Sequence, residues 1–196
     1  MDLAKSMARG LRAIRALASV SKSLLLYRSG KAVVEDVLQA AAPMYAGRHQ
    51  AEAEAEACKS INPLQNKLDP LGKRLLADLH EQGLRVYVFT VAPQVAAEAL
   101  LEGLPATGVY GTNSHVTQGR LTGELERPIP YGHGRLEIAT ALARKHGFSL
   151  DSCSYYCSSS GGLPLLQEVG TPLCVNASKR LALAASKEGW PLYQSR

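Results

Sequence analysis

Between an apolar run ending at Cys157 and another starting at Leu163 stands Ser158-Ser159-Ser160-Gly161-Gly162. Hydroxyls and backbone N–H groups in such a loop can hold an anion. The loop has no carboxylate, so it can neither bind Mg²⁺ nor move a proton. Two other positions carry related chemistry. Thr90 closes the clearest apolar strand in the chain, Leu84-Arg85-Val86-Tyr87-Val88-Phe89. A hydroxyl there can meet a phosphate oxygen, or it can cap the helix that follows. Arg135 falls in the first turn of a helix that opens after Pro128 to Gly134. A cation in that place is opposed by the helix dipole unless an anion is present. His133, between Gly132 and Gly134, is the one histidine placed at a site; the others read as residues of helices or of a β-excursion. Cys153 and Cys157 would share a strand face, but no His or second pair accompanies them, so they do not read as a metal site. The four cysteines show no C-x-x-C spacing and read as reduced thiols in a reducing, cytoplasmic compartment.

The elements that must position these groups follow from pattern and punctuation. Cys153 to Cys157 is a strand and Leu163 to Leu166 a short helix with Pro164 in its first turn. Pro172 to Val175 is a second strand, so a parallel pair joined by a short crossover is expected. In an open α/β sheet, ligands lie outside the carboxyl ends of the strands, which places Thr90 and Ser158 to Gly162 at one rim. Upstream, residues 31–45 and 49–59 read as helices, and Leu64 to Gln82 as a long one stopped by Gly83. Ser114 to Leu125, with turn signals at Gln118-Gly119 and Thr122-Gly123, is a β-excursion. Lys179 to Lys187 is the last helix, and Trp190 to Tyr193 a terminal edge strand.

The totals bound the class. The chain has 196 residues, 46% of them hydrophobic and 20% charged, which excludes a disordered or collagen-like polymer. No apolar run approaches the roughly 18 residues of a membrane span. The net charge of +5 is unevenly placed. Residues 1–31 hold seven Lys or Arg against Asp2 alone, leaving 15 basic and 16 acidic residues in the other 165. Leu3, Met7, Leu11, Ile14, Ala18, Ser21 and Leu25 recur at helical spacing, so this basic segment is amphipathic. It can lie on its own domain or meet an unidentified acidic protein partner or an anionic membrane surface. Nucleic acid is not expected, because no recognition motif is present and aromatics are 6%.

Four segments occur in an order that resembles the haloacid dehalogenase-like superfamily, in its phosphoserine-phosphatase-like branch. They are V-Y-V-F-T-V-A-P-Q, Y-G-T-N-S-H-V-T-Q-G-R-L-T-G, P-Y-G-H-G-R-L and G-G-L-P-L-L-Q-E-V-G-T-P-L-C-V-N-A-S, within about Tyr27 to Leu192. The resemblance implies an α/β fold: a Rossmann-like parallel sheet with an α-helical cap. Residues 1–82 would be the basic amphipathic helix and cap region, and 83–196 the core. Thr90 matches the family's phosphoryl-binding Ser/Thr. Arg135 falls where the family has a Lys, keeping the charge with a larger, planar group. Ser158 and Gly162 fall where the family has its Mg²⁺-binding acids. The family's nucleophile is the first Asp of D-x-D-x-T at the end of the first core strand, and no such motif occurs here. Asp2-Leu3-Ala4-Lys5-Ser6 echoes it, with Ala4 in place of the acid/base Asp.

The expectation is therefore a catalytically degenerate phosphatase-like protein that lacks the first core strand, with no catalytic residue and no metal. It would serve in binding, scaffolding or regulation, with a vestigial phosphate pocket at Thr90 and Arg135 and degenerate metal positions at Ser158 and Gly162. The competing expectation is an active Mg²⁺-dependent phosphomonoesterase whose nucleophile motif lies outside these residues. A core without its first strand has an exposed edge, which invites pairing with a second copy.

Overall fold

The computed structural model describes residues 17–27, 33–65 and 67–194. The expectations for Leu3, Met7, Leu11 and Ile14 of the amphipathic segment and for Asp2-Leu3-Ala4-Lys5-Ser6 lie outside the described residues. The elements begin with α1 (residues 17–27), α2 (Val34–Ala41), a 3-10 turn (Ala42–Tyr45), α3 (Gln50–Gln65) and α4 (Pro70–Glu81). Next come β1 (Tyr87–Pro93), α5 (Gln94–Leu100), β2 (Gly108–Thr112), β3 (Ser114–Thr117) and β4 (Arg120–Leu125). The chain ends with α6 (His133–His146), β5 (Ser154–Cys157), α7 (Leu163–Leu166), β6 (Thr171–Val175), α8 (Lys179–Glu188) and β7 (Leu192–Tyr193).

These elements form two compact units. The first takes its described residues from the stretches up to Leu68, Ala92–Gly103 and Gly111–Ile129. There α3 and α5 are tied by Gln65 Nε2, which donates to the Ala99 carbonyl at 2.7 Å, and Ala96 and Ala97 of α5 are buried. β3 and β4 form an antiparallel hairpin whose turn residues Gln118 and Gly119 both have positive φ, 50° and 71°. That conformation matches the right-handed twist of a hairpin and is why the turn carries a glycine. Its backbone bonds the 3-10 turn region, with Gly47 N–H on the Leu121 carbonyl at 2.8 Å.

The second unit comprises Asp69–Val91, Leu104–Tyr110 and Pro130–Arg196. β5, β6 and β7 form a parallel sheet in that order, with Cys157 beside Cys174 and Cys174 beside Leu192. Leu166, Cys174, Leu181 and Ala185 are nearly inaccessible and make one apolar cluster with Cys157. A second cluster joins Ala139, Leu165 and Val169, with Phe89 of β1 packed against it. β1 pairs with β2, and the Val86 carbonyl accepts from Thr107 N–H (2.7 Å) and Gly108 N–H (3.3 Å). The two strands therefore start side by side and run parallel.

Two boundaries differ from the sequence expectation. α3 runs through Asn62-Pro63 to Gln65, and the helix expected from Leu64 starts only at Pro70. Asp69 explains the start: its carboxylate accepts Leu71 N–H at 2.9 Å and Pro70 occupies the first turn, a stronger initiation signal than the apolar spacing before it. The strand expected from Leu84 begins at Tyr87 and continues to Pro93.

Candidate functional site

Arg135 is the third residue of α6 and is buried, with 8% of its surface exposed. Gly132 N–H donates to the Gly161 carbonyl at 2.9 Å, which ties the loop before this helix to the Ser158–Gly162 loop. The Arg135 guanidinium donates from Nε and Nη2 to the Pro130 carbonyl at 3.2 and 3.0 Å. Nη1 donates to Tyr155 Oη at 2.6 Å. Those contacts use three of the five guanidinium N–H groups. The ion pairs among the described residues are Arg48–Glu56 and Arg127–Glu35, so no carboxylate meets Arg135. A buried cation without a counter-charge is unfavourable, and its remaining N–H groups suit an anion.

A cavity of about 610 Å³ is lined by Arg135, Tyr155, Ser158, Ser159 and Phe89 among others. Arg135 and Ser158 are thus brought to one cavity, which also takes in Phe89, the residue before Thr90. Thr90 itself lies inside β1 and is not among the lining residues. The N-cap position of α5 is Pro93, not Thr90. Ser158 is exposed, and its carbonyl accepts Ser178 N–H at 2.8 Å. His133 is exposed at the start of α6.

Gly162 is buried, and a Cβ placed on it would overlap Cys157 Sγ and come within 3.0 Å of Tyr155 Oη. A Cβ on Gly161 would overlap the Tyr131 ring. Side chains from β5 and from the Pro130 loop therefore occupy the room that an acidic side chain at this turn would need. Mg²⁺ wants several oxygen ligands, carboxylates among them. Ser158 and Gly162 do not supply them, and no group of three His, Cys, Asp or Glu among the described residues could hold a metal ion. The residues present do not fit the ion.

Burial sets the protonation of the neighbouring groups. Loss of hydration pushes the Tyr155 phenol well above its ordinary pKa, an effect the Arg135 charge only partly opposes. Burial likewise raises the Cys174 and Cys153 thiols. At neutral pH these three groups are protonated and offer neither nucleophile nor base. Sequence reasoning missed Tyr155, Tyr131 and the Pro130 carbonyl, the groups that actually hold Arg135 and fill the turn. The one available signal was the alternation of β5, which turns Tyr155 and Cys157 to the same side.

The chain matches the family model for haloacid dehalogenase-like hydrolases over residues 2–167. It is 31% identical over 134 residues to the "Inhibition of morphological differentiation protein" of Streptomyces azureus, an overlap covering 66% of this chain and 48% of that protein, about half its length. The structure superposes on a Bordetella pertussis Tohama I protein of unknown function with a TM-score of 0.76, at 18% identity over 88% of this chain and 79% of the other. For a probable phosphoserine phosphatase of Vibrio cholerae the TM-score is 0.63, at 15% identity over 85% of this chain and 50% of the other.

Proposed function

Since this chain belongs to the haloacid dehalogenase-like hydrolases, we propose that it is a phosphatase-like protein that binds a phosphate-bearing ligand without hydrolysing it and acts in binding or regulation. The observation that carries the reading is the buried Arg135 guanidinium with no carboxylate beside it and two N–H groups left for an anion. Arg135 holds the phosphate, and Thr90, next to the cavity-lining Phe89 on β1, is its expected second donor. Ser158 and Gly162 mark the positions where the metal acids of the family are absent. Without a carboxylate nucleophile and a metal to offset phosphate charge, this fold has no route to an aspartyl-phosphate intermediate.

A regulatory role is compatible with the name of the Streptomyces relative. The helices upstream of Gln82 act as the cap, and the basic segment before Lys31 docks on an acidic protein or an anionic surface. No helix among the described residues is long and apolar enough to cross a membrane.

The test pairs turnover with binding. The purified chain is given p-nitrophenyl phosphate and Mg²⁺, and inorganic phosphate is titrated by calorimetry. Binding without turnover is expected, with phosphate affinity lost in Arg135→Ala. Mg²⁺-dependent phosphate release that both Arg135→Ala and Thr90→Ala abolish would overturn the reading and identify an active phosphomonoesterase.

A further inference from the structure

Cys157 on β5 and Cys174 on β6 are register partners in the parallel sheet. Their side chains turn to one face, since both belong to the buried cluster that contains Leu166, Leu181 and Ala185. Neighbouring strands lie about 4.8 Å apart, which puts the two Cα atoms inside the roughly 4.4–6.8 Å that a disulfide spans. Both thiols are free. Burial, and next the Cys157 sulfur, raise the Cys174 thiol above its ordinary pKa, so the two sulfurs are close enough to act on each other. The other two cysteines have no such neighbour. Cys153 is extended and stands four residues before Cys157, which puts it about 13 Å along the ladder from the pair. Cys58 is the only cysteine of the first unit.

Access separates the two members of the pair. Cys157 keeps 7% of its surface and Cys174 none, so a small oxidant meets Cys157 first, while a thiol as bulky as glutathione reaches neither sulfur well enough to intercept it. Cys157 Sγ also lies against the Ser158–Gly162 loop: it donates to the Ser159 carbonyl at 3.2 Å, and a Cβ on Gly162 would overlap it. Side chains that stand side by side on parallel strands start about 4.8 Å apart, somewhat beyond the roughly 3.5–4.5 Å between the Cβ atoms of a relaxed disulfide. A bond at this place is therefore strained, and strained disulfides are the ones that reduce easily.

We propose that Cys157 and Cys174 form a reversible disulfide switch, closed by a peroxide and opened by a dithiol. The Cys157 sulfur attacks the O–O bond of hydrogen peroxide, keeps one oxygen as a sulfenic acid and releases the other, with the thiol proton, as water. The Cys174 sulfur then attacks the Cys157 sulfur. The S–S bond forms, the S–O bond breaks, and the hydroxyl leaves with the Cys174 proton as a second water. Two thiols are oxidised and one peroxide is reduced; a dithiol reverses the bond by thiol–disulfide exchange and is itself oxidised. Closure removes the S–H that donates to the Ser159 carbonyl and draws the sulfur toward β6, so the Ser158–Gly162 loop registers the state of the pair. The inference rests on strand register, independently of phosphate binding, so either can fail while the other holds.

The full folded chain is treated with a stoichiometric amount of hydrogen peroxide, alkylated under denaturing conditions and cleaved after glutamate. Glu168 lies between the two cysteines, so the bond would join two fragments that otherwise separate. The oxidised protein should show two alkylatable thiols in place of four, the joined fragments and the loss of two hydrogen masses, all restored by dithiothreitol. Hydrogen exchange over residues 158–162 should differ between the two forms. Cys157→Ala and Cys174→Ala should each abolish the joined fragments, whereas a chain carrying both Cys58→Ser and Cys153→Ser should still give them; if an alanine variant does not fold, the fragment map of the parent decides. Four thiols after treatment, joined fragments that form only in urea, or disulfides through Cys58 or Cys153 in place of the joined pair would each overturn the proposal. So would a bond that dithiothreitol leaves intact, or identical exchange over residues 158–162 in the two forms.

Discussion

Replacing Gly162 with alanine tests whether the turn that would carry a metal acid has any room for a side chain. The glycine has φ −93°, an ordinary value, so the substitution introduces no backbone strain and its cost is purely one of space. The new methyl would overlap Cys157 Sγ and press on Tyr155 Oη. Neither neighbour is free to yield: Cys157 is 7% exposed within the cluster of Leu166 and Cys174, and Tyr155 is held by Arg135. Overpacking of this kind costs about 1–3 kcal/mol. For a chain of this size that lowers Tm by roughly 2–12 °C. Cys157→Ala removes the atom in the way, so the double variant should be more stable than the sum of the two single changes predicts, with a coupling of about 1 kcal/mol or more. Thermal and urea unfolding of the four proteins measures all of this. A Gly162→Ala chain as stable as the parent, or a strictly additive double variant, would refute the reasoning and reopen the turn to an acidic side chain.

Three further outcomes follow from the same cluster and its surroundings. Arg135→Met keeps the apolar stem but leaves the Pro130 carbonyl and Tyr155 hydroxyl without their donor; it should cost about 1–3 kcal/mol in unfolding experiments and abolish any rise of Tm with added phosphate. Tyr155 has a folded pKa raised above its unfolded value, so its contribution to stability is complete below about pH 10 and is lost as pH rises further. The Cys153 and Cys174 thiols act in the same direction from about pH 8.5, and Tyr155→Phe should flatten, without removing, the alkaline decline seen in a pH series of melts. Retention on anionic vesicles through the basic N-terminal segment should fall as salt rises and vanish when residues 1–22 are deleted, because exposed charges are screened beyond about 8–10 Å at physiological ionic strength.

Much of the fold was legible because it is written in local signals. The Gln118-Gly119 turn, the Gly189 stop of α8 (φ 71°) and the apolar runs of β5 and β6 each depend on nearby residues, and each appears where the pattern puts it. The family likewise follows from short segments in order, and residue type alone says that Ser158 and Gly162 carry no carboxylate. Tertiary structure decided what those positions can do. Arg135 in a first helical turn hinted at a ligand, but its burial and its bonds to Pro130 and Tyr155 depend on β5 lying beside the Pro130 loop, a contact between residues 20 apart that no periodicity encodes. The crowding at Gly162 has the same origin. Available volume is a property of the space between elements, whereas a sequence pattern reports only which face of each element is apolar.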